Sequence, residues 1–233
     1  ATTINVPPAT LSTGIRVVGP TLGVITIDGF TVTGFTEGGI IQGMTSGPGT
    51  TVHVLNNVVT PRADYLRNGI QVSGDNSTVI GNTVNGANLT SGWASSGILA
   101  SNASNVWVKD NIIDGGTLGI GYGVAISNYR LPGAGTEVIN GNVTITNNTI
   151  TNAYVGFGIS HFNNGNVHDV DFNLNKVTGQ SWAAYASMGT GTPTNTNIDL
   201  TKNWWGTPAG PLPEAVDIAG AAYIPWCLNE ACT

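Results

Sequence analysis

VHVLNNVV (52–59), STVIGNTV (77–84), VWVKDNII (106–113) and VTITNNTI (143–150) are copies of one phrase, and that phrase decides the fold. ITIDGFTV (25–32), VDFNLNKV (170–177) and IDLTKNWW (198–205) extend the series to seven. Aligned, the copies place Phe30, Asn57, Asn82, Asn111, Asn148, Asn175 and Asn203 in one column, at steps of 27, 25, 29, 37, 27 and 28 residues. A period of about 20–50 residues marks a repeat architecture, in which a unit too small to bury its own apolar face stacks on its neighbours. Each copy reads as strand and turn, with no helical period. Asn suits the column for two reasons. Its short amide tolerates the left-handed backbone of a sharp turn, and amides stacked coil on coil bond to the copies above and below.

A second series lies ahead of the Asn strands and opens on a small residue. Its members are Gly69-Ile70-Gln71-Val72-Ser73, Gly97-Ile98-Leu99-Ala100-Ser101, Gly123-Val124-Ala125-Ile126-Ser127, Gly156-Phe157-Gly158-Ile159-Ser160 and Ala183-Ala184-Tyr185-Ala186-Ser187. Side chains alternate across a strand, so Ile70/Val72, Ile98/Ala100, Val124/Ile126 and Phe157/Ile159 share a face, which is expected inside. With stacked strands about 4.8 Å apart, seven coils predict a rod roughly 35 Å long.

One continuous period through 233 residues implies one domain. Only 9% of residues are charged, and 33 glycines suit tight coils. A net charge of −6 with seven scattered Lys and Arg argues against nucleic acid as a partner, because phosphate binding needs clustered positive charge. No stretch reaches the roughly 20 apolar residues of a membrane span. The Ala1 start reads as a mature terminus after cleavage at a small residue. Five Asn-x-Ser/Thr sequons (Asn76, Asn88, Asn102, Asn142, Asn147) fit an extracellular glycoprotein, although a chain rich in Asn and Thr also produces them by chance. Cys227 and Cys232 read as part of a metal or redox site, for which no further Cys or His lies near in sequence, or as a small disulfide in an oxidising compartment.

The segment Asn203-Trp204-Trp205-Gly206-Thr207-Pro208-Ala209-Gly210-Pro211, the later Tyr223-Ile224-Pro225-Trp226 and the Asn strands resemble the right-handed parallel β-helix proteins of the pectin-lyase-like superfamily. More narrowly, they are similar to secreted and surface proteins of bacteria and archaea whose repeats end in an Asn-Trp-Trp-Gly…Gly-Pro…Tyr-x-Pro-Trp segment. The resemblance covers roughly residues 14–226. It implies an all-β fold, a right-handed parallel β-helix of about seven coils over residues 14–206. Residues 1–13 then form an extended N-terminal strand or cap, and 207–233 a C-terminal cap with a disulfide. No single activity follows, because the superfamily holds lyases, hydrolases, adhesins, surface-layer components and fibre proteins.

The lyases of this resemblance hold calcium on clustered carboxylates beside an Arg or Lys base, and the hydrolases flank the glycosidic bond with paired carboxylates. The outward positions of the Gly-Ile strand (Arg16, Ile41, Gln71, Leu99, Ala125, Gly158, Tyr185) contain no carboxylate. The Asn strand presents Thr26, His53, Thr78, Trp107, Thr144, Asp171 and Asp199 in one outward row. Asp28, Leu55, Ile80, Lys109, Thr146, Asn173 and Thr201 form the next. Asp171 and Asp199, with Asp169 close by, make the best acidic cluster and a weak calcium candidate, against the plainer reading of solvated carboxylates. His161 and His168 flank a loop as a second, weaker metal candidate, and His53 stands alone. No Gly-x-Ser-x-Gly elbow, His-Glu-x-x-His pair or phosphate-cradling Gly loop occurs. No catalysis and no cofactor are expected. The flat Thr rows that ice binding needs are also missing.

Aromatics recur between each Asn strand and the next small-residue strand: Phe35, Tyr65, Trp93, Tyr122, Tyr154 and Trp182. They read as rings that close the coils, or, for Tyr65, Trp93, Tyr122, Tyr154 and Trp182, as a strip that contacts glycan. The apolar outward column Ile41, Leu99, Ala125 and Tyr185 calls for a cover, either the long insertion 128–142 or a second copy. The N-terminal strand, with Ile4 and Val6, either caps its own helix or adds to a neighbour's edge. The expected protein is a non-catalytic structural or adhesive β-helix, extracellular or on a cell surface. Its expected partners are itself, in a surface layer or fibre, and a glycan. The alternative is a polysaccharide-active lyase or hydrolase, or a carbohydrate-binding module derived from one.

Overall fold

The structure, a computed structural model, describes residues 2–7, 12–18, 23–43, 50–62, 67–86, 95–116, 120–129, 139–162, 166–187 and 195–232. Successive strands form triplets, each making one coil. The first coil is β1 (Thr2–Asn5), β2 (Thr13–Val17) and β3 (Gly23–Asp28), and the second β4 (Phe30–Thr33), β5 (Gly38–Gln42) and β6 (Thr50–Leu55). Then come β7 (Val58–Thr60), β8 (Asn68–Val72) and β9 (Thr78–Ile80), followed by β10 (Thr83–Asn85), β11 (Ser96–Ser101) and β12 (Val106–Lys109). β13 (Ile112–Asp114), β14 (Ile120–Tyr129) and β15 (Ile139–Thr146) carry the long insertion. The last triplets are β16 (Thr149–Thr151), β17 (Ala153–Phe162), β18 (Asn166–Asn173), then β19 (Lys176–Thr178), β20 (Trp182–Ser187) and β21 (Asn195–Asp199), with β22 (Val216–Asp217) beyond them.

Like strands stack in parallel into three sheets. Sheet A starts at β1 and ends at β19, sheet B runs from β2 to β22, and sheet C from β3 to β21. The pairs expected inside are inside: Ile70, Val72, Ile98, Val124, Ile126, Phe157 and Ile159 are all closed off from solvent. Every coil thereby adds a layer to one continuous core, which a single unit could not form.

The Asn column is a buried amide ladder on the corner between sheets C and A. Asn57 donates both its backbone N–H and its Nδ2 to Oδ1 of Asn82, at 2.9 and 3.0 Å. The double contact repeats from Asn82 to Asn111, Asn111 to Asn148, Asn148 to Asn175 and Asn175 to Asn203. Phe30, lacking an amide, donates only its backbone N–H to Asn57 Oδ1 at 2.9 Å. One expectation is corrected here. The left-handed backbone belongs to the residue before each column Asn: Gly29, Asn56, Gly81, Asp110, Asn147, Leu174 and Lys202. The sharp turn therefore sits one residue earlier, and the column Asn is chosen for its hydrogen bonds, not for its backbone.

The two ends are built differently. β1 lies on β4 in register from Thr2↔Phe30 to Asn5↔Thr33, and Ile4 and Val6 pack on the protein's own core. At the other end, β22 extends sheet B beside β20, and Ala222 bridges Asp199 in sheet C. The Cys227 N–H donates to Asn203 O as the Trp204 N–H donates to Asn175 O, so Trp226 stands in the column position that Asn fills before it. The region after 206 therefore continues the coil as well as capping it. Trp205 closes the core by stacking on Phe172 at 5.9 Å, which in turn meets Phe157 at 5.0 Å. The Trp226 ring occupies the space a Cβ on Gly210 would need, at a left-handed position (φ 74), and its Nε1 donates to Pro208 O at 3.1 Å. Glycine is demanded there twice over. Cys227 and Cys232 form a disulfide.

Candidate functional site

Sheet C carries the outward row as read. Thr26, His53, Thr78, Trp107, Thr144, Asp171 and Asp199 are in register, strand after strand. Beside it runs an exposed amide ladder of left-handed residues, absent from the sequence reading. Asn105 Nδ2 donates to Asn76 Oδ1 (3.3 Å) and Asn142 Nδ2 to Asn105 Oδ1 (3.1 Å). In the next coil a carboxylate, Asp169, takes this place and accepts from Asn197 Nδ2 at 2.8 Å. An open depression of about 830 Å³ lies over this corner, lined by Asn142, Thr144, Asp169, Asp171, Asn197 and Asp199, among others.

Two of the three carboxylates there, Asp169 and Asp199, are already engaged. The Asn197 amide, then His168 with Nδ1 at 2.6 Å, hold the Asp169 carboxyl below its ordinary range. Asp199 Oδ1 accepts the Thr201 N–H at 2.8 Å. Among the described residues, no three His, Cys, Asp or Glu side chains converge enough to hold a metal. The His161 side chain lies outside them, and His53 Nδ1 meets Thr78 Oγ1 at 2.8 Å. Asp114 is also held low, first by the Gly116 N–H and further by Asn152 and Thr151. Among the described residues both shifted carboxyls move down, whereas a general acid working near neutral pH needs its carboxyl raised.

Among the described residues the aromatic row does not form a strip. Phe35 is in the core, and Tyr122 is buried with its ring over Gly158. Trp182 meets Tyr185 edge-on at 5.4 Å, and Tyr154 is exposed but off the row Ser96–Tyr122–Val155–Trp182. Unequal spacing from the column Asn is the cause. Tyr65 and Trp93 lie outside the described residues. The exposed ring that the sequence reading did not single out is Trp107, 45% accessible in the middle of sheet C's outer row. Its place between Thr78 and Thr144 in that row was the available signal.

The outward column of sheet B runs Arg16, Ile41, Gln71, Leu99, Ala125, Gly158, Tyr185 and ends on Asp217. Its middle is covered. Ala125 is 2% accessible, Tyr122 and Val155 are buried beside it, and Leu99, Trp182 and Tyr185 pack on them as a second small cluster. Gln71 is buried and hydrogen-bonded to Gln42 O and Asn68. Ala125 is therefore not a free contact surface, and Ile4 and Val6 are engaged by their own core. Residues 130–138 of the expected covering loop lie outside the described ones.

What stays open is the first coil. Among the described residues, β1, β2 and β3 are the terminal strands of their sheets, so each presents an unpaired edge. Val24 is 66% accessible on β3, and Ile4, Ile15 and Ile25 are only partly buried.

The sequence profile of a family described as "Right handed beta helix region" matches residues 13–203. The chain belongs to the right-handed β-helix family. Comparison with curated proteins and with solved structures gave no match. Membership in this family carries the parallel coil but no chemistry of its own. In this right-handed β-helix, the described surfaces offer an exposed indole on sheet C, a carboxylate-lined depression, and a ring of strand edges at the first coil. The edges are the feature with the clearest physical consequence, since unpaired N–H and C=O groups are templates for further pairing.

Proposed function

We propose that this β-helix protein is a non-catalytic, extracellular structural or adhesive subunit whose copies associate into a layer or fibre, with glycan contact as a secondary role. The observation that carries the reading is the first coil, which among the described residues leaves strand edges unpaired in all three sheets beside the exposed Val24. Natural proteins blunt such edges with charge, proline or a cover when they must stay apart. Here 9% charged residues give little electrostatic separation. The Cys227–Cys232 disulfide supports an oxidising, extracellular setting. We also propose the finer kinship with pectin-lyase-like secreted proteins that end in the Asn-Trp-Trp-Gly segment. The packing of Trp205 in the core and Trp226 on Gly210 supports a structural reason for that segment.

Sedimentation velocity and negative-stain microscopy of the purified chain test the reading. Ordered polymers or sheets that grow with concentration are expected. A protein that stays monomeric at high concentration overturns association. Release of reducing ends or unsaturated products from a polysaccharide panel overturns the non-catalytic part and favours the lyase or hydrolase alternative.

A further inference from the structure

We infer that the outer face of sheet C binds a neutral polysaccharide, with one pyranose ring stacked on Trp107 and the following rings laid along Thr144, Asp171 and Asp199 into the adjoining depression. This rests on the glycan contact proposed above as a secondary role, and gives it a place and a class of sugar.

Trp107 carries the inference. Its indole is 45% accessible in the middle of sheet C, and its neighbours in the outward row, Thr78 and Thr144, are short. Among the described residues its ring N–H has no acceptor within the protein. An indole so placed offers an apolar plate with a polar handle at its edge. A pyranose has the complementary form, a C–H face rimmed by hydroxyls.

The coils that follow supply polar partners. Thr144, beside Trp107 in register, lines the open depression of about 830 Å³. Sites for small ligands run from about 300 to 1,000 Å³. Asp171 and Asp199 come next, each one coil further along, so Trp107, Thr144, Asp171 and Asp199 make four successive rungs. Strands stack about 4.8 Å apart, close to the length of one pyranose in an extended chain, so each rung meets one ring. Asp171 makes no hydrogen bond or ion pair among the described residues, which leaves its oxygens open to sugar hydroxyls. Along the edge, the Asn142 amide is held by Asn105 and the Asn197 amide by Asp169. Groups already fixed lose little freedom when a ligand arrives.

Charge selects the class. The described residues lining the depression include Asp169, Asp171 and Asp199 but no Lys or Arg. His168 is bonded to Asp169 at 2.6 Å, and Lys109, on the strand of Trp107, pairs with Asp110 at 3.6 Å. A uronate polymer would set its own carboxylates against these, and like charges juxtaposed at an interface are costly. The hydroxyls of a neutral ring instead donate to them, and a charged acceptor makes the stronger kind of hydrogen bond.

Isothermal titration calorimetry tests the face. The probes are cello-, xylo-, manno- and chito-oligosaccharides of two to six units, with tetragalacturonate as the acidic counterpart. At least one neutral series should bind, with affinity rising to the tetrasaccharide and then levelling, while tetragalacturonate does not bind. Trp107→Ala should weaken binding about tenfold or more, as truncating an aromatic anchor does, whereas Trp107→Phe should retain part of the affinity. Asp171→Ala should weaken it about three- to tenfold, through lost hydrogen bonds. Both side chains are exposed, so circular dichroism and melting temperature should match the wild type. A sugar that binds Trp107→Ala and Asp171→Ala as tightly as the wild type overturns this face while leaving a glycan role elsewhere standing. Tetragalacturonate bound as tightly as the neutral sugars overturns the class. If no neutral sugar binds the wild type up to its solubility limit, this face and the glycan role fall together, and self-association is untouched. Loss of assembly in Trp107→Ala with sugar binding intact gives the face to a second copy and overturns the inference.

Discussion

Asn148 illustrates how one amide holds a coil. Its Oδ1 accepts from the backbone N–H and Nδ2 of Asn111, while its Nδ2 donates to Val108 O, Thr146 O and Asn175 Oδ1. Replacing it with Leu keeps the volume and strands buried backbone groups, each costing about 1–3 kcal/mol. Asn148→Leu is expected to lower the melting temperature by several degrees in calorimetry, and an unchanged value would refute the ladder's role. Leu174, one residue before Asn175, makes the opposite case. It holds a left-handed backbone (φ 57) with its side chain largely exposed, where most other coils place Gly, Asn or Asp. That conformation costs an L-residue with a Cβ about 1–2 kcal/mol. Leu174→Gly should recover part of it and raise the melting temperature by about 2–4 °C. The gain is reduced by the extra freedom glycine brings to the unfolded chain.

Sheet B shows what separates an outward face from an exposed one. Gly158 has no side chain, so the Tyr122 ring of the preceding coil takes the space a Cβ there would need and clusters with Ala125 and Val155, all three buried. Burial, with Tyr185 nearby adding to it, raises the Tyr122 phenol above its ordinary value of 10.0. The folded state thus keeps the proton after the unfolded state has lost it. Stability from this group is complete below pH 10.0 and declines as pH rises from there through the folded value. Melting temperature followed from about pH 9 to above about pH 11, a range that brackets the ordinary tyrosine value, should fall more steeply in the wild type than in Tyr122→Phe. Parallel curves would place the phenol in water in the folded protein.

At the scale of the whole rod, the N-terminal strand belongs to the fold. β1 completes the first coil of sheet A, and Ile4 and Val6 cover apolar side chains of the layer above. Deleting residues 1–7 should therefore lower the melting temperature by several degrees, since burying an aliphatic side chain is worth up to about 1.5–3 kcal/mol. A shortened chain that melts like the full one would make the strand a detachable arm. The repeat period, the strand alternation and the column of Asn determined the coil, because each depends on spacing along the chain. The inward residues of sheet B and the outward rows of sheet C were legible for the same reason. Other features became visible only in the folded molecule. Whether Ala125 faces water depends on a tyrosine from a neighbouring position settling on Gly158, a contact across coils that no local period encodes. Among the described residues the aromatic row broke up because unequal spacers send Phe35 into the core and leave Tyr154 beside the row that Tyr122 and Trp182 share. That Arg16 and Asp217 end one column required the register of every intervening strand, including the one lengthened by the 37-residue step. Local chemistry set the unit, and stacking decided which surfaces the rod leaves open.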